Sequence, residues 1–408
     1  MQIFINNDVN DEFSAILKRE LIKRIQKPDA SIAFNKLLIW YHMQRLEFDK
    51  ALLQEIAIDK RLNATGKSVL DLAELAKTAL DYETALNAYN YVIEKGKAKP
   101  FYIPAETGKL NVYYLQVING LIQTPEEIKT LEDQYLETIR STGVGPNTVQ
   151  SVIDLAHLQA FYLNKAGDAE KLLREAMNIT GLDPRLSALC KIELGDVLVY
   201  NNDTDYAVLI YGQVEKDNKD NLTGDNAKLK KAKLAYYTGN FLWAKAQFDA
   251  LKESTSKLVS NDAIYYSVMI DENSEGDSLL LAIKAYSEAD LNIFRHKFGA
   301  ANTILDSLIK NYPSHQIIDE VYMLKALIAV TTKDYASAEV LYKKVFTDFA
   351  YDINADAALL KLGILFEEKM NRKEDAAELF KRLMIEYPES IYVSEARRRF
   401  RRIRENIG

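Results

Sequence analysis

The sequence predicts an all-α solenoid: about nine helical hairpins stacked side by side and closed by one further helix at the C-terminal end. Three observations carry this. Segments one to two dozen residues long with helical periodicity follow one another throughout, and no stretch alternates as a half-buried strand would. A small residue recurs near the start of every second segment at almost constant spacing. Only 8 prolines and 16 glycines occur in 408 residues, which leaves little room for long linkers.

The recurring small residue is Ala51 in FDKALLQEI, Ala85 in YETALNAYNYV, Ala169 in GDAEKLLREAM and Ala207 in TDYAVLIYGQV. It returns as Ala244, Ala301, Ala338 and Ala376, giving steps of 34, 84, 38, 37, 57, 37 and 38 residues. The step of 84 accommodates one diverged unit, with helices expected near 105–121 and 125–140. Twelve residues before the ruler a second small residue should let two helices cross closely, and Ala73, Gly195, Ala232, Ala289 and Ala326 stand there. Before Ala376 the distance is thirteen, to Gly363. Four residues after the ruler come Tyr89, Leu173, Tyr211, Phe248, Leu305, Tyr342 and Phe380, all bulky. Ile39 and His157 occupy the small position in two units, and Glu55 follows Ala51, so the N-terminal half is the less regular. Thr238-Gly239-Asn240 and Ala166-Gly167-Asp168 are expected as turns, the glycine closing one helix and the polar residue capping the next.

The step of 57 inserts an apolar segment, 261–270, then the polar DENSEGDS and a long helix over 278–297 that Ser278 restarts. A change of stacking phase is expected across 261–278, because one unpaired helix displaces the next hairpin. The chain is accordingly read as an irregular array over 1–276 and three regular repeats with a capping helix over 277–408, the boundary lying at 272–277. In that capping helix Ala396, Phe400, Ile403 and Ile407 form one apolar stripe. Phe400 and Ile403 should be buried against the last hairpin, since the end of a repeat array otherwise exposes its hydrophobic face.

The stretch over 357–388, AALLKLGILFEEKMNRKEDAAELFKRLMIEYP, shows the unit most clearly. Its first helix carries Leu359, Leu362, Gly363 and Phe366; its second carries Ala376, Phe380 and Leu383 and closes at Pro388. This set resembles the tetratricopeptide repeat. The resemblance implies a right-handed superhelix that binds protein in a concave groove lined by positions five and nine of the first helices. Position five is Leu70, Asp154, Ile192, Leu229, Tyr286, Met323 and Leu360. Position nine is Glu74, Leu158, Asp196, Lys233, Asp290, Leu327 and Ile364. The lysine and asparagine set with which the family's chaperone-tail receptors clamp a terminal carboxylate is absent. The candidate partner-binding residues are Tyr286, Asp290, Met323, Leu327, Val330 and Ile364, an apolar stretch that packing between neighbouring turns would equally explain. About the last 130 residues, ending LFKRLMIEYPESIYVSEARRRFRRI, also look like the end of tetratricopeptide proteins of the bacterial cell envelope.

Chemistry-bearing motifs are weak by comparison. Gly66-Lys67-Ser68 looks like the end of a phosphate loop, but the glycine required five residues earlier is Arg61. Gly66 is instead expected to end one helix, with Ser68 and Asp71 capping the next. Asp271, Asn273, Glu275, Gly276 and Asp277 follow the order of a calcium loop whose bidentate glutamate is replaced by Ala282, which favours a polar turn. His42, His157, His296 and His315 lie on different units without metal-site spacing, and His157 is expected as a hydrogen-bonded core or interface residue. The single Cys190 excludes an intrachain disulfide and any multi-cysteine metal site and is expected buried. No nucleophile–base motif is recognisable, so no catalytic residue, metal or cofactor is assigned.

The net charge of −7 argues against general nucleic-acid affinity. Arg397, Arg398, Arg399, Arg401, Arg402 and Arg404 form one basic cluster. It reads as the solvated face of a cap or, through Arg398, Arg401 and Arg402, as a contact for an anionic surface such as phospholipid headgroups. No apolar run is long enough to span a membrane, and MQIFINNDVNDEF lacks the features of a leader. The expected location is the periplasm or cell envelope if a leader has been removed, and the cytoplasm otherwise. Three functional readings follow: a non-catalytic protein-binding scaffold, an envelope assembly factor docking through its arginines, and the helical portion of a larger enzyme.

Overall fold

The computed structural model describes residues 11–27, 31–219, 221–254, 256–274 and 280–407, with the side chains of 11–13 and 405–407 left aside. Among these residues every regular element is helical and there is no strand. The chain forms two compact units, Met1–Glu193 and Leu194–Gly408. In the first, α1 (Asp11–Ile25) packs on the hairpin α2 (Ile32–Gln44) and α3 (Phe48–Arg61). There follow α4 (Lys67–Thr78) with α5 (Tyr82–Glu94), α6 (Tyr102–Ile118) with α7 (Pro125–Thr142), and α8 (Val149–His157) with α9 (Ala166–Met177).

Helix α10 (Pro184–Tyr200) runs from one unit into the other and is followed by α11 (Thr204–Asp217). The second unit continues with α12 (Leu222–Tyr237), α13 (Phe241–Leu251) and an additional helix α14 (Lys257–Ser274). Three hairpins then follow, α15 (Leu281–Phe294) with α16 (Phe298–Asn311), α17 (Ile318–Thr331) with α18 (Tyr335–Asp348), and α19 (Ala355–Glu368) with α20 (Lys373–Glu386). Helix α21 (Val393–Ile407) packs on α20.

One local device makes each of these hairpins. The turn passes through a single left-handed residue: Leu46, Leu80, Gly120, Asn164, Asn202, Gly239, His296, Lys333 or Asn371, with φ between 52° and 81°. At Lys333 the following Asp334 N–H reaches back to the Ala329 carbonyl at 2.8 Å, ending α17. The Asp334 carboxylate then accepts the Ser337 N–H at 3.1 Å, starting α18. Stop and start thus occupy adjacent residues, and the second helix must double back on the first. Gly239 takes its expected place here, but Gly167 does not: it lies in the first turn of α9, and Asn164 makes that turn. Near Gly66 the expectation also fails in detail. Gly66 opens α4 with φ 89°, and its N–H donates to Asp59 at 2.7 Å, while Ser68 is already inside the helix.

All eight ruler alanines are fully buried. At the crossing of α19 and α20 a Cβ on Gly363 would lie 2.5 Å from the Phe380 ring, and one on Gly195 would lie 2.3 Å from the Tyr211 ring. No real contact is that short, so glycine is dictated by close approach. At His157 the reading of the small position needs correction. Helix α8 widens into a π turn over Leu158–Tyr162, which absorbs one extra residue. The fully buried small residue is therefore Ala156, thirteen before Ala169, as Gly363 is before Ala376. His157 is half-buried, bonded through Nδ1 to Glu193 at 2.9 Å and stacked on Phe161.

The inserted apolar segment is helical, as expected, within α14. This helix lies along α13, and α15 pairs with α16 instead of with it, while α12 touches both α14 and α15. Glu272, Asn273 and Ser274 continue α14, Glu275, Gly276, Asp277 and Ser278 lie outside the described residues, and the following helix is shorter than expected, starting at Leu281. At the C-terminal end Ala396 and Ile403 are buried against the last hairpin. Phe400 is only half-buried, and the side chain of Ile407 lies outside the described residues.

Candidate partner-binding face

The first helices of the second unit carry the residues singled out from the sequence, and the structure separates them into two groups. Tyr286 is 1% exposed and Met323 6%. Tyr286 belongs to the core under α14, where its hydroxyl lies 3.3 Å from that of Tyr265. Met323 belongs to the core shared with α18 and α19. Asp290, Val330 and Ile364 are half-exposed, and Leu327 is 40% exposed. The inserted helix explains the division. Tyr265 and Tyr266 of α14 lean on α15, and the Tyr266 hydroxyl donates to Asp290 at 3.0 Å. Burial pushes the Asp290 carboxyl above the usual range, opposed by nearby Lys233 and by that hydrogen bond. The face is thus covered at α15 and open at α17 and α19.

Beside the covered part lies a cavity of about 170 Å³ that sequence reasoning did not find. Val199, Leu229, Tyr237 and Phe294 supply its apolar walls, and Lys233 and Asp262 reach into it. The Lys233 ammonium sits 4.8 Å from the centre of the Tyr266 ring and forms no ion pair among the described residues. Asp196, a position-nine residue, lines the cavity but is already engaged: Lys230 donates to both its oxygens, at 2.9 and 2.7 Å, and the Tyr211 hydroxyl donates at 2.6 Å. The Arg295 guanidinium fixes the end of α15 by donating to the Val199 carbonyl, at 2.9 and 2.8 Å, and to the Asn202 side chain. Lys233 and Asp196 were visible as position-nine residues. Asp262 carried no signal, because only the path of α14 brings it beside α12.

A second polar cluster lies where α14 meets α17. Glu320 and Asp319 are 1% and 2% exposed. The Asn273 amide donates to Glu320 at 3.2 Å, and the Asn354 amide donates to Asp319 at 2.9 Å. Burial, then the hydrogen bond and charge of Asp319, push the Glu320 carboxyl well above the carboxylate range. In the sequence this acidic pair reads as an ordinary helix N-terminus. Asn273, one of the calcium-loop-like residues, is spent on this contact within a helix. No group of three or more His, Cys, Asp or Glu among the described residues is arranged to hold a metal ion.

The arginines of α21 sort by flank. Arg399 donates to Glu367 at 2.7 Å, to Glu368 at 2.8 Å and to Glu395 at 2.7 Å, and Arg402 donates to Glu367 at 2.7 Å. Although burial opposes it, these bonds hold the Glu367 carboxyl below its usual range. Arg398 pairs with Glu395. Arg397 and Arg401 are exposed and have no acidic partner among the described residues. Cys190 is fully buried, and burial pushes its thiol up to about 12, which disfavours the thiolate.

Residues 357–390 match the family model of the tetratricopeptide repeat. The matched segment is the α19–α20 hairpin with its Gly363–Phe380 crossing, and the other hairpins reuse its turn and, except for α6–α7, its buried alanine. The α19–α20 hairpin is a tetratricopeptide repeat. No curated protein matches the chain. Solved structures similar to this repeat protein include a human IFIT1 dimer with PPP-AAAA, at 12% identity and a TM-score of 0.37, covering 98% of this chain and 96% of that one. A monomeric IFIT1 mutant with m7Gppp-AAAA gives 12% identity, a TM-score of 0.38 and the same coverage. A tetratricopeptide repeat protein from Parabacteroides merdae gives 14% identity and a TM-score of 0.26, covering 82% of this chain and 98% of that one. These likenesses are too loose to transfer a ligand. No described helix of the repeat protein is long and apolar enough to cross a membrane.

Proposed function

We infer that the repeat protein is a non-catalytic scaffold that holds a segment of a partner protein against the first helices of its second unit. The observation that carries this is the open part of the face. Leu327 is 40% exposed on α17, and Val330 and Ile364 are half-exposed on the same row of first helices, an apolar stretch that a partner can cover. Lys233, which forms no ion pair among the described residues, and the Tyr237 and Phe294 rings add a polar anchor and an aromatic wall at the other end of the row. The net charge of −7 favours a protein partner over a nucleic acid. Docking on an anionic surface through the arginines has less support, because Arg398, Arg399 and Arg402 are held by glutamates of this chain.

A photo-crosslinking residue placed at Leu327 should capture a discrete partner in the native cell, and one placed at the exposed Leu209 of α11 should not. Leu327→Asp should abolish that partner's binding while leaving the melting temperature unchanged. Equal capture from both positions, or binding indifferent to Leu327→Asp, would put the contact elsewhere.

A further inference from the structure

A trough of about 540 Å³ runs between α20 and α21 at the C-terminal end. Ala377, Phe400 and Ile403 form its floor. Ile403 is 2% exposed, but Phe400 is half-exposed, so the ring serves as a wall as well as a core residue. The α21 edge is basic, whereas the α20 edge carries two glutamates and one lysine, Lys381, and is acidic on balance. On α20 Glu374 and Glu378 are exposed, and the only ion pair they form among the described residues is a loose one of 3.9 Å between Glu378 and Lys381. On α21 Arg404 lies 5.7 Å from the centre of the Phe400 ring, and Arg397 and Arg401 follow on the same flank at helical spacing. These three arginines are exposed and form no ion pair among the described residues, whereas Arg399 and Arg402 on the opposite flank are bound to Glu367.

We propose that this trough docks an amphipathic helix of a partner protein, whose apolar stripe is bordered by carboxylates on one side and by lysine or arginine on the other. Within the second unit α19 is received by α18, and α21 is itself received by α20. The charges select among occupants. A uniformly anionic surface, whether lipid or nucleic acid, would meet Glu374 and Glu378 as well as the arginines and would be repelled along one edge. A second copy of α21 would bring its own arginines against Arg397 and Arg401. A helix with flanks of opposite sign satisfies both edges and covers Phe400.

The test uses the full chain and a synthetic, side-chain-stapled helical peptide of about four turns, with a leucine stripe, a glutamate flank and a lysine flank. Fluorescence anisotropy should show saturable binding. The double reversal Arg397→Glu, Arg401→Glu should weaken it by about tenfold or more, and exchanging the peptide's glutamates for lysines should restore it. Phe400→Ala should weaken both pairings alike. Circular dichroism of each variant confirms that α21 is retained, and the charge exchange separates a docking defect from a folding defect. Absence of peptide binding overturns the proposal, as does binding indifferent to the reversal. So does binding of phosphatidylglycerol vesicles or of oligoadenylate that the same reversal abolishes. Self-association of the chain in sedimentation, lost in Phe400→Glu, would assign the trough to a second copy and would also overturn it.

Discussion

From Met323 to Leu383 the core is built mainly from alanine, leucine and phenylalanine, with Tyr342 beside them, and its helices cross where a small residue meets a ring, Gly363 against Phe380. Between α12 and α17, where α14 is inserted, the buried surface is of another kind. Tyr236, Tyr265, Tyr266 and Tyr286 crowd together with Asp290, Asn273 and Glu320. The Tyr236 hydroxyl, Asn273 Oδ1 and Glu320 Oε2 find no hydrogen-bond partner among the described residues. The regular hairpins bury the faces that the repeat pattern makes apolar. The inserted helix covers a face that the same pattern leaves open, so the tips of tyrosines and carboxyls that would otherwise meet water are enclosed. An extra helix thus closes part of the candidate face and introduces polar groups whose protonation matters.

The sharpest way to break this contrast is in the regular part. Phe380→Ala should destabilise the protein by about 3–5 kcal/mol, because the fully buried ring leaves a cavity over Gly363 that no neighbour can fill. A urea denaturation midpoint barely changed would mean that the crossing is not held by packing.

The end of the same regular stretch offers a graded comparison. Ile403→Ala should cost about 2–4 kcal/mol, since the side chain is buried. Phe400→Ala should cost less than that, since the ring is half-exposed. Removal of residues 394–408 should uncover the last hairpin and cause aggregation. The reverse order of the two point variants would show that Phe400, not Ile403, anchors the cap.

In the inserted region the contrast should appear as a dependence on pH. The folded pKa of Glu320 is raised above its ordinary value of 4.5 by burial first, then by Asp319. A raised carboxyl contributes stability that is full below the unfolded pKa and is lost as pH rises through the folded one. The slope approaches about 1.4 kcal/mol per pH unit between the two values. The groups that act on this cluster, Asp319, Glu272, Asp352, Tyr265, Tyr236 and Tyr286, supply no compensating cation. Stability measured from about pH 5 upward should therefore fall, and Glu320→Gln should flatten the decline. An unchanged profile in that variant would remove Glu320 from the account.

The smallest effect is at a turn. Lys333 holds a left-handed conformation at φ 61° and is exposed, so Lys333→Gly should stabilise the α17–α18 hairpin by up to about 1 kcal/mol. Loss of stability would show that the lysine side chain makes a contact worth more than the strain.

Spacing alone located the eight buried alanines, the bulky residues four places later and the close approach at Gly363, because a helix repeats its faces at fixed intervals and a crossing admits only small side chains. The same reading made 261–270 a helix whose apolar side chains need cover; Ala263, Met269 and Ile270 are buried, whereas Ile264 is left exposed. The exact turn residues were less legible. Glycine was sought at the left-handed positions, and leucine, asparagine, histidine or lysine occupies most of them, held there by the helix packing on either side. The extra residue at His157 was hidden for a related reason: a π turn leaves the apolar pattern intact and shifts it by one. What only the tertiary structure decided is where α14 lies. Its path buries Tyr286 and ties up Asp290, leaves Leu327 in water, and brings Asp262 toward Lys233 and Asn273 onto Glu320. Those contacts join residues dozens of positions apart, and they depend on which of several apolar faces an unpaired helix comes to cover, a choice that no local periodicity encodes.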